Sequence, residues 1–268
     1  MTDDKYIQAL RNNPYGICNI PNPIEAMQLV AVEQNGMLLG HIKNPTEAVV
    51  KAALNSAPRS IQFVENPSKE LLEELVRNDW AILEYIQNPS EELATIGLAQ
   101  SGWALKYINN PSEELQLKGV RHNYDALQYI ESPSEVVQLA GVNSTYQALR
   151  YIKNPTRAVM AAAVKQDPQA MRFISNLDIE TALYLFGVSS LVIGYIPTSL
   201  GIKIEAIVES LISTVSADTA DDQYIRHLIH NGAFSGRQAS WPIDIMIIIE
   251  IHGTKQVKQI AIDEWLAY

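Results

Sequence analysis

A proline recurs every 22 residues, at Pro23, Pro45, Pro67, Pro89, Pro111, Pro133 and Pro155. An interval held to the residue over seven copies restricts a chain to architectures in which one supersecondary unit stacks on the next. Asn precedes each of these prolines except Pro133, which follows Ser132. An aliphatic residue three places before the proline extends the pattern from Ile20 through Ile42, Val64, Ile86, Ile108, Ile130, Ile152 and Ile174 to Ile196. Nine copies therefore fit. The eighth proline slot holds Leu177, and counting back from Pro23 starts the first copy at Met1. The array is expected to fill residues 1–198, leaving 199–268 outside the period.

Each copy carries the signals of two helices. In Asn88-Pro89-Ser90-Glu91, Asn is a favoured N-cap, Pro suits the first helical position, and the Glu that follows can complete a capping box. Inside the predicted helix the apolar columns are Leu93, Gly97 and Leu98, matched by Leu115, Gly119 and Val120, by Val137, Gly141 and Val142, and by Val159, Ala163 and Val164. Their spacing puts them on one face. The middle column is almost always Gly or Ala, which lowers helix propensity but is expected to let the backbone of a neighbouring repeat come close. Polar runs such as Arg121-His122-Asn123 end this helix. A second, shorter helix follows with Ala126, Leu127, Tyr129 and Ile130, and Pro14, Pro58 and Pro168 mark its start in three copies. Phe63, Tyr85, Tyr107, Tyr129, Tyr151, Phe173 and Tyr195 form an aromatic column expected to run as a ladder along the stack. The fold class read from this pattern is all-α, an α-solenoid of nine 22-residue two-helix repeats with a C-terminal helical cap.

The Asn-Pro-Ser-Glu-Glu-Leu of 88–93 and 110–115 resembles the short helical repeats of uncharacterised bacterial and bacteriophage proteins, and the likeness covers residues 20–175. It implies the fold and a bacterial or phage origin, and it carries no active site. In design, though not in motif, the array is also similar to leucine-rich-variant and HEAT-type stacks.

Beyond Gly201 the period is lost but helical patterning continues. Ile204, Ile207, Val208 and Leu211 share one face of a predicted helix from Lys203 to about Thr214, and Asp218 or Thr219 can cap another reaching His230. A loop is expected through Gly236 to Ser240. The isoleucine-rich stretch from Pro242 to Ile251 reads as a buried helix rather than a strand, which would have no partner here. Thr254 is expected to cap a last helix with Val257, Ile260, Ala261 and Trp265 inward. This region is either a cap on the apolar end of the array or a small helical domain of its own.

No catalytic set emerges. His227 and His230 lie three apart on a predicted helix, but a third metal ligand is wanting, with His252 and Glu250 the nearest candidates. Neither a metal nor a cofactor is therefore expected. Cys18, the only cysteine, excludes a disulfide framework within the chain and reads as a small buried residue. Gly232, Gly236 and Arg237 lack the spacing of a phosphate-binding loop. The glutamates at the first-helix starts are explained by capping and the helix dipole.

The net charge of -10 argues against a nucleic-acid ligand and suits a basic protein partner. Residues 178–268 hold eleven acidic and five basic side chains, so acidity is denser there. No apolar run approaches the ~18 residues of a membrane helix, and the opening residues lack a signal peptide's pattern, so a cytoplasmic protein is expected. The basic residues Arg77, Lys106, Arg121, Arg150, Lys165 and Arg172 stand near helix ends, where cations are favoured. Trp80, Trp103, Tyr124 and Tyr146 stand at or beside the start of the second helix. With Arg77 and Arg121 they form the expected contact ridge, since Trp, Tyr and Arg dominate binding hot spots. The expected function is non-enzymatic: a solenoid binding another protein, host or bacterial, as an adaptor or inhibitor. The alternatives are an acidic decoy of nucleic acid that blocks a DNA- or RNA-handling defence enzyme, and a small-molecule enzyme or sensor at the junction with the C-terminal helices.

Overall fold

The computed structural model describes residues 2–218, 221–234 and 240–267. It is 71 % helical, with no strand among the described residues, and its fold is an all-α helical-repeat solenoid. The repeats begin with α1 (Asp3–Asn12), α2 (Glu25–Gln34), α3 (Glu47–Ser56), α4 (Lys69–Asn78), α5 (Glu91–Leu98), α6 (Glu113–His122), α7 (Glu135–Ser144), α8 (Arg157–Gln166) and α9 (Ile179–Val188). The second helix of each repeat is a six-residue 3₁₀ helix, as at Gly36–His41, Pro58–Phe63, Trp80–Tyr85 and Gly102–Tyr107. Pro14, Pro58 and Pro168 begin three of them, as expected.

The first helix starts two residues later than the Asn-Pro signal suggests. Its N-cap is the residue after the proline: Ser90 Oγ accepts from the Leu93 amide at 3.2 Å, and Thr46, Ser68, Ser134 and Thr156 do likewise in their repeats. The expected capping box does not form. Glu91 and Glu92 are the first two helical residues and face the positive end of the helix dipole. Asn has a different task, for Asn22, Asn44, Asn66, Asn88 and Asn110 all take φ between 47° and 53°. Asn reaches this left-handed conformation more cheaply than other residues with a Cβ, so the motif is a turn before a cap.

The 3₁₀ helices are capped from their own side. Asn35, Asp79, Ser101, Thr145 and Asp167 each accept a hydrogen bond from the amide two residues on, at 2.8 to 3.3 Å. Their core residues include Leu83, Leu105, Leu127 and Leu149, all essentially inaccessible, each burial stabilising by about 1.5–3 kcal/mol. The small-residue column accommodates these side chains. A Cβ on Gly119 would lie 2.4 Å from Leu105 Cδ1, and one on Gly97 would lie 2.5 Å from Leu83 Cδ1. The column thus admits a leucine of the preceding repeat, not its backbone. Close backbone approach occurs instead at Gly36 and Gly102, where a Cβ would meet Ala53 O at 2.1 Å and Gly119 O at 2.2 Å. Glutamines tie repeats together: Gln34, Gln100 and Gln166 donate to the carbonyls of Leu10, Val76 and Val142 one repeat earlier, at 3.0, 2.5 and 2.7 Å.

The chain forms two compact units, Met1–Ile130 and Glu131–Tyr268. In the first, the 3₁₀ helices pack in unbroken series, and α1, α2 and α3 pack in turn, as do α4, α5 and α6. α3 and α4, by contrast, stand apart. A distinct apolar cluster of Leu54, Ile61, Leu75 and Ile82 joins them at the base. In the small-residue column Ala31, Ala53, Gly97 and Gly119 are interrupted here by Leu75. Leu75 belongs to this cluster together with Ile61, the counterpart of Leu105. Cys18 in this unit is exposed, not buried, because it falls on the outer side of the first 3₁₀ helix.

In the second unit α7, α8 and α9 pack in turn. α10 (Ile204–Val215) lies on α9, and α11 (Asp222–Ile229) on the last 3₁₀ helix, Ser190–Tyr195. α12 (Ile245–His252) packs on α10, and α13 (Lys255–Leu266) packs on α11 and α12. The isoleucine-rich stretch is indeed a helix, and Thr254 caps α13 by accepting from Val257 at 3.3 Å. α11 is capped by Asp221, which accepts from Tyr224, rather than by Asp218; Thr219, Gly236 and Arg237 lie outside the described residues. Trp265 also departs from expectation, being 73 % exposed. α13 buries Val257, Ile260 and Ala261 and turns Glu264 toward α11, which leaves the next residue on the outer edge.

Candidate interaction surface

The six residues of the expected ridge are all at least partly accessible, and the structure shows what holds them. Trp80 opens its 3₁₀ helix, and its ring lies 6.2 Å from that of Tyr107, tilted by 36°. Tyr146 repeats this geometry with Phe173, at the same distance and tilt. In sequence each pair spans 27 residues, one repeat plus five. The rings therefore meet diagonally, from the start of one 3₁₀ helix to the end of the next, instead of stacking down the expected column. Trp103 is 44 % exposed, and its indole Nε1 donates to Asp125 Oδ1 at 2.9 Å. Tyr124 is half-buried, and Arg121 is exposed in the last turn of α6. Arg77 is exposed and bound to Glu73 of its own helix at 3.0 Å.

Trp80, Trp103 and Tyr146 each pair with a residue of the next repeat and not with one another. Trp80, Trp103 and Tyr124 belong to the first compact unit and Tyr146 to the second. Other basic residues singled out by position sit over rings: Arg150 over Phe173 at 5.2 Å, Arg172 over Tyr195 at 5.4 Å and Lys106 over Tyr107 at 5.0 Å. Such cation–π contacts contribute about 0.5–1 kcal/mol at exposed sites. Asp125 escaped the sequence reading, although its position 22 residues after Trp103 marks it as a one-repeat partner.

His230, the residue that follows α11, takes part in a clamp, whereas His227 does not. His230 Nε2 lies 2.6 Å from Glu264 Oε2, and Arg226 donates to Glu264 Oε1. The Glu264 carboxyl is held below the usual carboxylate range, first by the hydrogen bond with His230 and then by that from Arg226. Among the described residues no three His, Cys, Asp or Glu side chains gather closely enough to hold a metal ion. No helix among them is long and apolar enough to cross a membrane. The chain matches no known protein family, no curated protein and no solved structure.

Proposed function

We infer that the chain is a non-enzymatic binding protein that holds another protein, host or bacterial, on the 3₁₀ side of its repeats, as an adaptor or inhibitor. Trp103 carries this reading: a large aromatic side chain left 44 % exposed, yet fixed by a hydrogen bond to the following repeat. An aromatic anchor ordered before the partner arrives loses little entropy on binding and makes an efficient hot spot. Trp80, Tyr124 and Arg121, at or beside the 3₁₀ starts of the same unit, supply further contact area of the favoured types.

The test is capture from a bacterial lysate by the full chain and by Trp103→Ala, with bound proteins identified by mass spectrometry. The native chain is expected to enrich a partner that the variant retains about tenfold less well or worse. An identical set of proteins on both would remove Trp103 from the function. Because the expected anchors are apolar and aromatic, raising salt to about 0.15 M should weaken capture only modestly. A loss of several orders of magnitude would favour the acidic decoy.

A further inference from the structure

The gap between α3 and α4 is a wedge of about 710 Å³, a volume within the range of ordinary ligand pockets. Val50 of α3 and Leu71 of α4 are half-buried on its two walls, with Leu54, Leu75 and Ile82 beneath. Glu47, Glu70, Glu74 and Asp79 also line it, against the single cation Lys51. The basic residues of α4 do not relieve this charge. Lys69 and Arg77 both pair with Glu73, at 3.9 and 3.0 Å, and among the described residues Glu47, Glu70 and Glu74 have no ion pair. Glu70 and Glu74 are one turn apart, a like-charge spacing that disfavours the isolated helix. Leu71 and Leu75 repeat that one-turn spacing one residue along, so an acidic stripe and an apolar stripe run side by side on α4.

We propose that this wedge receives a cationic amphipathic helix of the partner protein, its apolar side chains between α3 and α4 and its Lys or Arg residues against Glu47, Glu70 and Glu74. A helix-in-groove partner presents apolar residues one turn apart, which matches the spacing of Leu71 and Leu75. Cations beside that stripe meet the carboxylates that α4 leaves unpaired. The proposal rests on the reading of the chain as a protein-binding stack, and it names a second contact surface on that stack and the chemistry it takes.

The probe is a fluorescein-labelled peptide of Leu and Lys, with leucines at i, i+3, i+4 and i+7. Its binding to the full chain is followed by fluorescence anisotropy at about 0.15 M salt. A scrambled peptide of the same composition serves as control. The variant E70K/E74K reverses two exposed charges at the wedge. E205K/E209K makes the same change in net charge on exposed positions of α10. Circular dichroism checks that both variants fold. The wedge predicts that E70K/E74K weakens binding about tenfold or more, that E205K/E209K changes it less than about twofold, and that the scrambled peptide binds worse.

Equal losses in the two variants, equal binding of both peptides, or no binding by the native chain would each overturn the proposal. The two functional readings fail separately. Peptide binding unchanged in E70K/E74K removes the wedge while the Trp103 capture result stands. Unchanged capture by Trp103→Ala removes the ridge while the peptide result stands.

Discussion

Gly119 sets how near one repeat stands to the next. Any side chain there has to displace Leu105, whose Cδ1 would lie 2.4 Å from the new Cβ, and Leu98, at 3.2 Å. Gly119→Leu should therefore destabilise the protein by about 1–3 kcal/mol. Glu114→Leu, which loses only an exposed ion pair with Lys118, should cost less than about 0.5 kcal/mol. Thermal melts of the two variants check the order. Glu264 makes a second prediction at this scale. Its carboxyl binds protons less readily in the folded chain than its ordinary value of 4.5 implies. The stabilisation is therefore present above 4.5 and is lost as pH falls through the lowered folded value. The urea midpoint of the native chain should drop more steeply below pH 4.5 than that of Glu264→Gln. Parallel curves would mean that the contacts with His230 and Arg226 add nothing to stability.

The turn and the first helix of each repeat divide the work of one short motif. Asn110 holds φ at 47°, and Ser or Thr after the proline caps the helix in most copies. Asn110→Ala should cost about 1 kcal/mol, whereas Asn110→Gly should be close to neutral because glycine enters the left-handed region freely. Denaturant midpoints of the two variants decide this, and equal losses would mean that the Asn side chain matters more than its backbone. The motif was legible as the start of a helix, but its register was not. Asn is favoured both as an N-cap and in left-handed turns, and only the backbone shows which applies. The 3₁₀ form of the second helix was hidden for a similar reason, since six residues are too few for apolar periodicity to separate three residues per turn from 3.6.

Stability over the whole molecule accumulates from neighbour to neighbour, so an end repeat needs a cover. Phe186, Val192 and Ile193 of the ninth repeat are inaccessible, and of the helices that follow this repeat α10 and α11 pack on it. A chain ending at Pro197 should stay helical by circular dichroism but aggregate, as light scattering would show. A soluble monomer melting at the full-length temperature would rule out this covering role. Trp265→Ala in the full chain should shift stability by no more than about 0.5 kcal/mol, because the ring already faces solvent. A loss of several kcal/mol would place the ring in the core.

The 22-residue period determined the all-α class, the number of repeats and the identity of the core columns, because a short repeat can bury its apolar face only against another copy of itself. Trp80, Trp103 and Tyr146 were also readable as accessible aromatics near the second-helix starts, although their partners Tyr107, Asp125 and Phe173 needed the geometry. Tertiary structure alone decided where the stack opens. Leu75 is visible as a misfit in a column of Gly and Ala, but a bulky residue there can be absorbed by a rotamer change, a tilt or a gap. Leu185 stands in the same column of the ninth repeat, and there α9 still packs on α8. In the fourth repeat Leu75 packs with Ile61, Leu54 and Ile82, and which response occurs follows from such contacts between repeats, which the order of residues along the chain does not show.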